Sequence, residues 1–509
     1  MLLQKSSFIL TRAAQVWSII LFSLLLLISC FVQTTLPMDG TEMAKMVATS
    51  PWLLLVAVMT LFFLFCLLRD LPKIKSKWLF IAGCLIYLIL GGLLISQVTW
   101  VLRDDARLVY ESALAINHGD YTYLTKDNYL YRYPHQLGLV TYERVLVTLF
   151  RTSSTKLLFF LNLMLVLASN ALTWKITDSL FKRPLVNNLV ILLSFFFLPQ
   201  LFFILFVYGL VPGLFFSLLA FYAFILYRKQ GKVRQAFLFM VAMLLAYLIR
   251  NNYIILTLSF AIVALLDMMA RKKYALFVVV ALTFMMNFGA SAALKSYYEQ
   301  LADTNLSGEP KIAWVTMGLN DRPIYNRVAG WYDAYVETVY SDNNGNFKKI
   351  EQQSRTDLSK RLTYMSSHPK YTFDFFKNKI ISTWTDSLFQ SVWSGPVEAQ
   401  GQKVSGDFAK SIYHQKSGYQ IAYFIAHILL IFIYFGVLVA AIHFIKRPII
   451  MGLDGLVPLI YLTGGFIFHL FWETKSQYVY PYVFLLLPLS AFGLITFLER
   501  LQFKKKSRP

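Results

Sequence analysis

Apolar runs approaching the ~20 residues that cross a bilayer recur about a dozen times along this chain, which leaves few architectures open. A backbone inside hydrocarbon must satisfy its own hydrogen bonds, so only helices and closed barrels can span it. Barrel strands would appear as ten-residue segments of alternating polarity, whereas these runs are continuously apolar. Composition agrees: 57% of the 509 residues are hydrophobic and only 15% are charged, far from the balance of a soluble domain. The expectation is an all-α polytopic membrane protein with about twelve spans.

The formal net charge of +21 raises nucleic acid as a partner. The basic residues, however, sit in short loops between apolar runs, as positive-inside topology requires, so the expected partner is the lipid bilayer and not nucleic acid. The first run follows Lys5 and Arg12 but is long and has no small-residue cleavage site, so it reads as an uncleaved span. Cys30, Cys66 and Cys84 fall inside expected spans and read as small hydrophobes.

Counting from a cytoplasmic N-terminus, residues 1–101 hold three spans, 14–32, 51–68 and 78–101, with the basic loop 69–77 inside. Residues 102–155 form a first outer loop with juxtamembrane helices, and 156–294 hold spans four to nine. Residues 295–420 are the one long hydrophilic stretch. They carry balanced charge and Trp314, Trp331, Trp384 and Trp393, so they are expected to fold on the outer surface. Three last spans and a basic tail fill 421–509, with Arg447 and Lys504 to Lys506 inside. Both termini are then cytoplasmic in a multi-pass cell-membrane protein. No Walker-type glycine loop is present, which argues against an ATP-driven pump.

Chemistry-bearing residues gather at the outer ends of these spans. Asp104 and Asp105, flanked by Arg103 and Arg107, open a helical pattern with Ala106, Val109, Ala113 and Ile116 on one face and a stop at Gly119. One reading makes an aspartate the helix cap. The other has two ionised acids beside the bilayer facing a wet cavity. Arg132 and His135, in a turn at Pro134, are placed to hold a phosphate, while Tyr121, Tyr123 and Tyr129 read as interfacial belt residues. Arg250, at the outer end of a span, reads as a snorkelling anchor. In 469–481, His469 and Glu473 stand four apart as if on one helix face, followed by Lys475 and Tyr478, with Trp472 and Tyr480 as possible belt residues. His469 with Glu473, or the two aspartates, would suit a divalent cation, but no metal or other cofactor is expected to be obligatory. Trp314 to Gly318 and Gly330 to Tyr332 either face an acceptor or pack the outer domain onto the membrane.

The order of acidic pair, arginine, amphipathic helix, and an aromatic-basic-proline turn entering a membrane helix resembles the first outer loop of GT-C membrane glycosyltransferases. Within that superfamily it is most similar to bacterial relatives of the protein O-mannosyltransferases and the aminoarabinose transferase. Here the second acid is Asp105, the turn reads Arg132-Tyr133-Pro134 where the family has two prolines, and two additional spans precede the loop. The resemblance implies a GT-C bundle and transfer of a sugar from a polyprenyl-phosphate carrier, such as undecaprenyl phosphate, to an extracytoplasmic polymer, glycan, lipid or protein. It makes Asp104 the catalytic base with Asp105 beside it. Arg132, Arg250 and Lys475 would then neutralise the carrier phosphate, with Arg107, His135, His469, Glu473 and Tyr478 around the same cavity. A transporter or lipid flippase is the competing class, and would place its charges near the bilayer midplane, often in two related halves. A non-catalytic scaffold would use Asp104 as a cap.

Overall fold

The computed structural model describes residues 2–38, 41–99, 102–321, 328–398, 401–446 and 452–506. The expected span end at Val101 and the basic residue Arg447 lie outside them, as do the side chains of Lys504, Lys505 and Lys506. The chain is 77% helical. Among the described residues seven helices are long and apolar enough to cross a membrane: Gln4–Phe31, Ser76–Gln97, Thr155–Phe181, Leu210–Gln230, Asn251–Arg271, Ala275–Ala302 and Ser417–Lys446. Two bent pairs, Pro184–Phe196 with Pro199–Leu205 (47°) and Ser476–Phe484 with Leu487–Gln502 (60°), make nine if each is one span. The other three expected spans are the shorter helices Pro51–Leu67, Val233–Ile249 and Leu456–Phe471, of 17, 17 and 16 residues. At 1.5 Å per residue they reach about 25 Å, short of the ~30 Å hydrocarbon core. The described residues thus form a predominantly helical membrane-type protein with seven to nine membrane-length helices.

Two short helices carry the first polar segment. Asp104–Asn117 buries Ala106, Val109, Ala113 and Ile116, the face its spacing predicts, and the chain leaves it through Gly119 at φ +80°. Leu137–Phe150 docks on the end of Val233–Ile249 at Gly138, where any Cβ would lie 1.9 Å from the carbonyl oxygen of Leu248. That close backbone approach requires glycine, and it brings Arg250 beside the first polar segment.

The hydrophilic region folds as helices packed across this end of the bundle, among them Ile312–Gly318, Tyr335–Asp342, Phe347–Ser367 and Pro369–Trp384. An antiparallel hairpin that the hydropathy pattern does not announce, Val32–Thr35 with Lys45–Ala48, joins it. The amide of Thr34 donates to the Thr385 carbonyl (3.3 Å) and the Trp393 indole donates to the Thr41 carbonyl (3.0 Å).

Two expectations are corrected here. Tyr129 and Tyr480 are buried and so are not interfacial belt residues. Trp331 is buried with its indole on Ser382 (3.0 Å), while Trp314 and Tyr332 turn toward a cavity. His469 and Glu473 do not share a helix, because the helix ends at Phe471 and Trp472 is extended at ψ 158°.

Candidate functional site

Two cavities of about 480 and 420 Å³ lie between the helix ends and the hydrophilic region. Arg132, His135, Gln136, Tyr208, Trp314, Glu473 and Tyr478 line both. Asp104, Asp105 and Lys475 line only the first, and Arg250 and His469 only the second.

In the first cavity, Asp104 sits at φ +49°, a left-handed conformation that aspartate tolerates better than most residues. Its carboxylate is 59% exposed, and its hydrogen-bond partner among the described residues is the Arg103 guanidinium (2.8 Å). It therefore does not act as the cap of its own helix. Arg103 is buried, donates to the carbonyls of Gly395 (3.2 Å) and Trp393, and stacks on the Trp393 ring at 4.1 Å. It thereby pins the Asp104 turn to a segment nearly three hundred residues downstream.

Asp105 opens onto the same space but is ringed by protein, and accepts a hydrogen bond from the Tyr208 hydroxyl (3.3 Å). That confinement raises its carboxyl above the ordinary range against the pull of Lys475. Tyr208 is held in turn by Gln136 (2.5 Å) and faces the Tyr129 hydroxyl (3.4 Å). The Lys475 ammonium pairs with Glu42 at 2.8 Å, and Glu42 also accepts from the Gln390 amide (3.0 Å). Burial opposes the charge of Lys475, but Glu42, Glu473 and Asp105 outweigh it and hold the group protonated.

Glu473 stands where the cavities meet. Its amide donates to the Trp314 carbonyl (3.2 Å) and the next amide to Gly330 (2.9 Å), so the polypeptide after Phe471 runs along the hydrophilic region. Lys379, 1% exposed, donates to the carbonyls of Gly318, Leu470 (3.0 Å) and Trp472 (2.9 Å) and fixes this run from behind. Desolvation pushes Lys379 down to about 7. It pushes Glu473, which is 5% exposed, up to about 7 despite Lys475. The Glu473 carboxyl interacts with the Tyr478 hydroxyl, and among the described residues its Oε1 has no hydrogen-bond partner.

In the second cavity, Arg250 donates to the Tyr208 carbonyl (3.4 Å) and lies 5.9 Å from the Tyr478 ring centroid. Among the described residues no carboxylate lies within ion-pair distance of it. Arg132 pairs with buried Glu309 through Nε and stacks on Tyr340 at 4.3 Å, leaving Nη2 buried and unpartnered. Burial raises Glu309 to about 7 even beside Arg132. His135 is pushed down to about 4 by confinement and by Lys311, so it is neutral at pH 7. The His469 ring lies 5.9 Å from that of Tyr478 and near the Glu473 backbone.

The structure thus gathers nine of the ten sequence-predicted residues around two adjoining cavities, and leaves one out. Arg107 points away, half exposed, with its Nε on Glu111 at 2.7 Å. Lys475 is also not in the compartment of Arg250. Among the described residues no group of three or more His, Cys, Asp or Glu side chains is arranged to hold a metal. Sequence reasoning missed Glu42, Arg103 as a clamp, Tyr208, Lys379 and Glu309. Only Arg103 carried a signal, its place beside the acidic pair.

No family model matches this chain, and no curated protein matches it.

Proposed function

We propose that this protein is a membrane glycosyltransferase of GT-C type, twelve helices deep, that moves a sugar from a polyprenyl-phosphate carrier to an extracytoplasmic hydroxyl acceptor. The count of twelve takes the nine membrane-length segments with the three shorter apolar helices. One observation carries the reading: an exposed carboxylate, Asp104, and a cation with no carboxylate partner, Arg250, stand on opposite sides of a junction lined by the same seven side chains.

The chemistry follows from that layout. The carrier phosphate enters the second cavity and meets Arg250 and the spare Nη2 of Arg132, whose donors match phosphate oxygens. The anomeric carbon then lies toward the junction. An acceptor hydroxyl in the first cavity gives its proton to Asp104 as its oxygen attacks, the bond from the anomeric carbon to the phosphate oxygen breaks, and the configuration inverts. A positioned base contributes roughly 10²- to 10⁴-fold, and the cations stabilise the charge left on the lipid phosphate. Lys475 has a different task from Arg250. Paired with Glu42 in the first cavity, it favours the ionised form of Asp105. No nucleotide or metal is assigned a step.

The test is reconstitution of the full chain in lipid nanodiscs with a panel of polyprenyl-phosphate monosaccharides and envelope glycan and lipid fractions as acceptors, following release of lipid phosphate. Wild-type turnover with one donor, lost in Asp104→Asn, supports the reading. Movement of the intact lipid-linked sugar across the bilayer without bond cleavage would replace it with a flippase.

A further inference from the structure

Of the seven side chains common to the two cavities, Glu473 is the one carboxyl group. It is 5% exposed, its Oε1 is unpartnered, and its backbone is locked by Trp314 and, through the Trp472 carbonyl, by Lys379. A buried carboxyl oxygen without a partner is costly unless a ligand supplies one. Trp314 stands beside it, its ring packed edgewise against Tyr133 (6.0 Å) and His135 (6.3 Å). A rigid indole next to a hydrogen-bond acceptor is suited to a pyranose or furanose ring, which has an apolar C–H face and a rim of hydroxyls.

Resting on the reading above, we propose that the junction is the subsite for the transferred sugar. Glu473 Oε1 accepts a hydrogen bond from a ring hydroxyl of the donor, Trp314 is the platform for the ring, and together they determine which sugar is transferred. The phosphate end of the donor then falls to Arg250 and Arg132, and the anomeric carbon faces the side that holds Asp104. Carboxyl recognition of hydroxyl defines the substrate class as a neutral, hydroxyl-bearing monosaccharide. A sugar whose only rim substituent at that point is a carboxylate would offer Glu473 Oε1 no hydrogen-bond donor.

The experiment compares binding of bare polyprenyl phosphate with binding of its neutral hexosyl and pentosyl conjugates and a uronic acid conjugate, using the full chain in nanodiscs. Wild type is expected to bind at least one neutral conjugate more tightly than the bare lipid, and the uronic conjugate no better than the bare lipid. Glu473→Gln and Trp314→Ala should each remove about tenfold or more of that sugar-dependent gain, as expected for losing a charge-assisted hydrogen bond or a stacking surface. Affinity for bare lipid phosphate should stay within about twofold in both, and Glu473→Asp should recover part of the gain. Arg250→Ala should weaken bare lipid and conjugates alike. Thermal midpoints matched to wild type exclude misfolding as the cause. A neutral-sugar preference that survives both Glu473→Gln and Trp314→Ala, or wild type that binds lipid phosphate but prefers no conjugate, overturns the subsite alone. Wild type that binds no lipid phosphate overturns the transferase reading and the subsite with it.

Discussion

At the end of the bundle away from the cavities, Arg228 donates to Asp267 (3.1 Å) and Asp454 (2.8 Å), and Arg271 adds a second contact to Asp267 (3.1 Å). Arg228, Asp267 and Asp454 are at least nine-tenths buried, and neither cavity reaches them. At the cavity end, acids and bases are also buried, but Arg250 lacks a carboxylate, Arg132 keeps one nitrogen unused and Glu473 one oxygen. Buried charge is therefore common to both ends and says little about function. Asp454 too keeps one oxygen without a partner among the described residues, so spare hydrogen-bonding capacity occurs at both ends; at the cavity end it belongs to side chains that line the two cavities, and that contrast separates a fastening from a site.

The contrast can be broken most sharply at Asp104. Asp104→Asn should cut lipid-phosphate release about 10²- to 10⁴-fold while shifting the melting midpoint little, since the side chain is exposed, asparagine can still accept from Arg103, and Arg103 keeps the carbonyls of Gly395 and Trp393. Retained turnover would move the base elsewhere, with Asp105 first in line. At the opposite end Arg228→Met should do the reverse, costing about 3–5 kcal/mol because it strands buried Asp454 and takes from buried Asp267 one of its two partners, with turnover per folded molecule intact. Chemical denaturation in detergent measures the first effect, and single-concentration turnover of the folded fraction the second.

Arg250→Met sharpens the same comparison within the site. It should weaken lipid-phosphate binding about 10- to 100-fold with little loss of stability, because no buried carboxylate is stranded.

The pH dependence of stability gives a smaller effect with a definite sign. Glu473 and Glu309, raised from 4.5 to about 7, bind a proton more tightly folded than unfolded, so stability should fall as pH rises through 4.5 to 7. Lys379, lowered from 10.5 to about 7, binds its proton more tightly unfolded, so its contribution should rise between 7 and 10.5. Melting midpoints across that range should flatten on the acid side in Glu473→Gln and on the alkaline side in Lys379→Met. The smallest effect is expected at Arg107→Ala, within about twofold of wild-type turnover, since its ion pair with Glu111 is a surface one.

Much of the framework is legible in the sequence for a physical reason. Apolar runs of membrane length and the 3.6-residue pattern after Asp105 are local signals, and the helices Ser76–Gln97, Asp104–Asn117 and Leu137–Phe150 follow from them. What stayed illegible is non-local. Nothing near Glu42 announces Lys475, which is 433 residues away. The spacing of His469 and Glu473 misled because amides 473 and 474 leave the helix to bond the carbonyls of Trp314 and Gly330, partners invisible to a helical-wheel reading. Arg107 misled for a simpler reason. Glu111 lies one turn further along its own helix and takes it.

The clamp formed by Arg103 on Trp393 bears on the order of synthesis. The Asp104 turn is held by residues that the ribosome adds some 290 positions later, and Lys475 joins Glu42 only after more than nine-tenths of the chain has been made. Early helices can enter the bilayer long before then, but their acids wait without a setting. A nascent chain halted just before residue 475 would already hold the Asp104 turn against Trp393 but would lack the ammonium that Glu42 pairs with.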